Sequence, residues 1–80
     1  MVDTVRAYRN RAELQRDAVL EKAQKMLEQG KPIEEVLLFL ANTLTNKLTH
    51  EPTEALHTAG KQGKNELIDA ARILLNLPPE

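Results

Sequence analysis

The chain has no cysteine, no serine and no tryptophan, and only one tyrosine and one phenylalanine. Without cysteine there can be no disulfide and no thiolate-ligated zinc. Without cysteine or serine, the two commonest nucleophiles of covalent catalysis are missing. Two aromatic rings leave little for stacking bases. The three glycines stand apart at Gly30, Gly60 and Gly63, so no glycine-rich loop is present to cradle phosphates. Neither sign of charge dominates: eleven basic and twelve acidic side chains give a formal net charge of −1. That balance speaks against a dedicated nucleic-acid or membrane-surface protein. The longest apolar run, Val36 to Ala41, is far too short to span a bilayer. No charged-then-apolar leader opens the chain, and the expectation is a cytoplasmic module without a membrane segment.

What the chain does contain is helix-forming sequence. From Thr4 to Gln29 there is neither glycine nor proline, and Ala, Leu, Glu, Gln, Lys and Arg predominate. Asp3 is a candidate N-cap and Gly30 a candidate terminator. Val5, Tyr8, Ala12, Val19, Ala23, Met26 and Leu27 recur at mostly three-and-four spacing, interrupted at Gln15 and Arg16. Pro32 then suits the first position of a second helix, with Glu34 and Glu35 at the positive end of its dipole. Ile33, Leu37, Leu40, Ala41, Leu44 and Leu48 share one face of it. Val36, Leu38 and Phe39 point elsewhere, so this helix is apolar on more than one side, as buried helices are. Pro52 predicts a break or kink, followed by a short helix over 53–59 and a turn at Gly60 and Gly63. Asn65-Glu66 predicts the start of a last helix through Asn76, with Leu67, Ile68, Ala71, Leu74 and Leu75 inward and Pro78-Pro79 as its stop.

The reading is therefore all-α: one domain over 1–80, a small helical bundle with a long N-terminal helix. Eighty residues bury only about 60–65% of the surface their unfolded chain exposes and, disulfides being excluded, need idealised packing, a metal or a partner chain. A helix over 4–29 is about 39 Å long. A globule of this size is roughly 30 Å across. Helix 1 would overhang its own domain, which predicts a bundle completed by a second chain. The residues expected in the core or dimer seam are Leu37, Leu40, Leu44, Leu48 and Leu74, with Val36 and Phe39 as a second face.

Asn42, Thr43, Thr45, Asn46, Thr49 and His50 are poor helix formers at about 0.5 kcal/mol each. Burial of Leu40, Leu44 and Leu48, at about 1.5–3 kcal/mol each, outweighs them. Asn42, Asn46 and Thr49 lie on one flank, either as an exposed polar face or as a polar seam that sets register against another helix. His50 and His57, with Glu51 and Glu54, lack the spacing of a helical zinc motif, and no metal is expected. Arg6, Arg9, Arg11 and Arg16 are partly offset by Asp3 and Glu13 and read as a solvated face. No catalytic residue is expected in this chain.

The run Leu44-Thr45-Asn46-Lys47-Leu48, then His50, Pro52-Thr53 and Leu56, resembles the C-terminal signature of glutamyl-tRNA reductases. Tyr8-Arg9, Arg11-Ala12-Glu13 and Asn65-Glu66 are also similar, and the resemblance covers nearly the whole chain. It departs from the family pattern at Thr49, where a larger apolar residue is common, and at Glu51, where a small one is. The resemblance implies an excised dimerisation domain of an enzyme that reduces glutamyl-tRNA to glutamate-1-semialdehyde with NADPH, on the route to 5-aminolevulinate and the tetrapyrroles. The catalytic cysteine and the NADPH site would lie in other domains, so the resemblance implies a homodimer and no cofactor in this chain. Two other readings stand beside it: a module contacting tRNA through Arg6, Arg9, Lys22 and Lys25, and a free-standing helical adaptor.

Overall fold

A computed structural model describes residues 2–78, with the side chain of residue 2 left aside. Among the described residues there are three helices and no strand: α1 (Val2–Glu28), α2 (Ile33–Lys61) and α3 (Asn65–Leu74). The all-α expectation holds. Each helix places an acidic residue in its first turn and a basic one in its last: Asp3 and Lys25, Glu34 with Glu35 and Lys61, Glu66 and Arg72. Both placements complement the helix dipole. Asp3 lies inside the first turn of α1, so it acts through this dipole and does not cap the helix.

All three helices end in the same way. After α1, Gly30 adopts φ 81° while its N–H donates to the Leu27 carbonyl and that of Lys31 to Met26. After α2, Gly63 at φ 70° donates to Gly60, and Lys64 donates to Ala59. After α3, Asn76 at φ 57° donates to Ile73, and Leu77 donates to Arg72. This paired pattern is the Schellman motif, which satisfies carbonyls that the helix leaves without partners. Asparagine replaces glycine in the third because it tolerates the left-handed region better than other side chains. The Arg72 guanidinium then donates to the Pro78 carbonyl at 2.8 Å and holds the tail against the helix end.

Three boundaries differ from expectation. Proline 52 does not end its helix; α2 runs through it to Lys61, and the separate helix over 53–59 does not exist. Proline removes the N–H that would reach the Leu48 carbonyl and crowds that carbonyl, at about 3 kcal/mol. The helix nevertheless continues, and Thr49 lies just before the proline. Its hydroxyl donates to the Thr45 carbonyl at 2.8 Å, a back-bond that bends helices. Gly60 is accordingly helical, with Ile68 Cδ1 3.8 Å from where a Cβ would stand. Asn65 is the first residue of α3 and does not cap it; Lys64 holds the cap position without a side-chain hydrogen bond. Pro32 sits just before α2, and its carbonyl accepts the Val36 N–H.

The chain forms two compact units, one up to Thr49 and one from His50 onward. The first pairs α1 with the opening part of α2 and buries Val19, Ala23 and Val36. Ala12, Gln15 and Met26 of α1 are half-buried, as are Phe39, Leu40, Thr43 and Leu44 of α2. The second pairs the end of α2 with α3 and buries Ala59, with Leu56, Ile68, Ala71 and Arg72 half-buried.

The glycines give a prediction with opposite signs. At fixed protein concentration, Gly30→Ala should lower stability by about 1 kcal/mol, because an L-residue is strained at that φ. Gly60→Ala should raise it by about 0.5–1 kcal/mol, because the position is helical and has room. Urea midpoints moving in the same direction would contradict these assignments.

Candidate functional site

No group of three or more His, Asp or Glu side chains that could hold a metal ion occurs among the described residues. His50, His57, Glu51 and Glu54 are exposed. So are Arg6, Arg9, Arg11, Arg16, Lys22 and Lys25. Arg16 pairs with Asp17 at 3.0 Å and Lys25 with Glu21 at 3.7 Å. Such surface pairs contribute about 0–1 kcal/mol. Among the described residues no helix is long and apolar enough to cross a membrane. The surface also exposes many large apolar side chains.

Those side chains are arranged unequally. Four apolar residues are buried, two of them alanines, while fourteen large ones are exposed among the described residues. The accessible surface is 6895 Å² for a chain of 9.0 kDa. A self-sufficient fold of that mass exposes about 4,900 Å². The surplus of about 2,000 Å² exceeds the roughly 800 Å² that each partner contributes to a standard interface.

Helix α2 organises this surplus. At about 100° per residue, Val36, Phe39, Leu40 and Thr43 fall on one side, and α1 covers them within the first unit. Leu37, Ala41, Leu44 and Leu48 fall on another side, about 110° away. Leu37 is 59% exposed and Leu48 40%, whereas Leu44 lies at the border of the two sides and is half-buried. Within the second unit there is an open groove of about 300 Å³, with Ala55, Thr58 and Ala59 as its floor and Leu67 as a wall. Glu54 and Lys64 stand at its rim.

The residues singled out from the sequence therefore separate into groups. Val36, Phe39 and Leu40 close the first unit, while Leu37 and Leu48 remain uncovered. Leu74 on α3 is 83% exposed, beside the exposed Ile73. Asn42, Asn46 and Thr49 are all exposed, on the flank of α2 away from Leu37 and Leu48. Sequence reasoning missed the groove.

A family model described as the dimerisation domain of glutamyl-tRNAGlu reductase matches residues 1–77. The chain belongs to that family. The glutamyl-tRNA reductase of Shewanella pealeana is 46% identical to it over 76 residues, that of Shewanella sp. strain W3-18-1 45% over 76, and that of Methylococcus capsulatus 43% over 75. Each alignment covers 94–95% of this chain and 18% of the relative, so the chain spans under a fifth of the length of the curated relatives it matches. No solved structure matches. Membership of the glutamyl-tRNA reductase dimerisation domain family bears out the resemblance carried by Leu44 to Leu56.

The core assignment makes a prediction. Val19 is fully buried, and an aspartate there would place an unpaired charge among apolar side chains at a cost of several kcal/mol. Val19→Asp should lose most of its helical circular dichroism at any protein concentration. Gln24→Asp, on the exposed side of α1, should keep it. Retention of full helicity by Val19→Asp would place the core elsewhere.

Proposed function

We propose that this chain holds two copies of a glutamyl-tRNA reductase together. The observation that carries the proposal is the uncovered stripe Leu37, Ala41, Leu44 and Leu48 on a helix whose other apolar side its own chain already covers. A symmetric dimer presents the same patch twice, so one self-complementary stripe suffices. Covering it, together with Leu74 and its neighbours on α3, would remove much of the surplus surface. Leu37, Leu48 and Leu74 lie in the contact, Leu44 bridges seam and core, and Val36, Phe39 and Leu40 support α2 from behind. Asn42, Asn46 and Thr49 stay on the solvent side.

The parent enzyme, in this reading, reduces the glutamyl group on its tRNA to glutamate-1-semialdehyde with NADPH, for tetrapyrrole synthesis in the cytoplasm. The residues present here do not make a dinucleotide site, since Gly30 and Gly63 terminate helices and Gly60 lies within one. The cofactor and the catalytic nucleophile belong to the part of the parent outside this chain. The contribution of this chain to the reaction is the fixed pairing of two copies.

Light scattering over a concentration series tests the proposal. The chain should have dimeric mass in the micromolar range. Leu48→Asp should shift dissociation to at least tenfold higher concentration, because a charge at the seam must be desolvated. Asn46→Asp, on the solvent flank, should leave the mass unchanged. A folded monomer at hundreds of micromolar would refute the proposal.

A further inference from the structure

We infer that α2 carries a conformational device at its middle: residues 45–55 pass between helix and open chain while the packed turns on either side stay helical. The first observation is a gap in the packing. Along α1, Ala12, Gln15, Val19, Ala23 and Met26 are buried or half-buried, so no more than four residues separate one covered side chain from the next. The opening part of α2 is covered in the same way as far as Thr43 and Leu44, and Leu56 and Ala59 resume the pattern. Between them every residue from Thr45 to Ala55 is exposed. That is about three turns of helix without a covered side chain.

The second observation is the sequence of that gap. Helical turns on both sides supply the nucleus, so propagation decides whether the span is helical. Thr45, Asn46, Thr49, His50 and Thr53 propagate a helix poorly, and Pro52 is the poorest former of all. Pro52 also has no N–H to offer the Leu48 carbonyl. The Thr49 hydroxyl donates to the Thr45 carbonyl at 2.8 Å, a back-bond that weakens the turn it spans. Poor propagation without tertiary cover puts residues 45–55 at the low-stability end of the molecule. The flanking turns differ, because Val36 is buried in the first unit and Ala59 in the second. Opening the span breaks helical hydrogen bonds without uncovering either of them. A second copy lying over Leu48 would bias the span toward helix. The missing proline N–H remains in either state, so the weakness does not depend on pairing.

Native-state amide exchange of the full chain, resolved by residue with NMR, tests this. All amides are compared within one sample, so the degree of pairing is the same for each. After correction for intrinsic rates, the amides of Leu48, Thr49, His50 and Glu51 should exchange at least tenfold faster than those of Leu40, Ala23 and Gly60. Trypsin gives a second readout. It should cut after Lys47 before it cuts after Lys22 or Lys25, although all three are exposed and helical. Pro52→Ala supplies the missing N–H and exchanges the poorest helix former for the best. It should slow both the exchange at residues 48–51 and the cut at Lys47 at least tenfold. Equal exchange rates in all these stretches, fast or slow, would overturn the inference. So would a first cut within α1, or a Pro52→Ala chain whose span exchanges as quickly as before.

Discussion

Helix α2 is apolar on two sides about 110° apart, and one neighbouring helix can cover only one of them. Most features of this chain follow from that constraint. Helix α1 lies over Val36, Phe39 and Leu40 and thereby fixes the first unit. Helix α3 lies against the end of α2 and buries Ala59. Neither leaves Leu37 or Leu48 covered. A fold with four buried apolar side chains has little internal stabilisation to set against the backbone entropy of ordering nearly eighty residues. In the proposed dimer the uncovered stripe serves as both the contact and the missing part of the core.

Pro52 acquires a place in this account. A helix ending there would leave a seam of three turns, from Leu37 to Leu48. Instead α2 continues to Lys61, and its last turns form the groove of the second unit with Leu67. The helical cost of proline falls near the boundary between the two units, just after the Thr49 back-bond to the Thr45 carbonyl. Thr49 departs from the larger apolar residue common in the family, and its hydroxyl is used within its own helix.

The helices themselves were legible in the residues. An uninterrupted run of helix formers marked α1, Gly30 and Gly63 marked the two turns, and the three-and-four spacing of leucines marked α2. Two things were not legible, for physical reasons. Local propensity treats Pro52 as a stop, but propensity alone does not decide where a helix ends, and α2 continues. Likewise, spacing shows that α2 has two apolar sides, but which one α1 covers depends on tertiary placement that no local pattern encodes. Family membership was legible because the Leu44 to Leu56 run departs so far from what helix propensity alone would choose.

The central claim is that the core of this chain is completed by a second copy, so that folding and pairing are one process. Its most direct test is the thermal midpoint measured over a hundredfold range of protein concentration. If folding is coupled to pairing, the midpoint must rise steadily with concentration by mass action. A midpoint independent of concentration, with a fully cooperative transition, would show a chain that is stable by itself and would contradict the account.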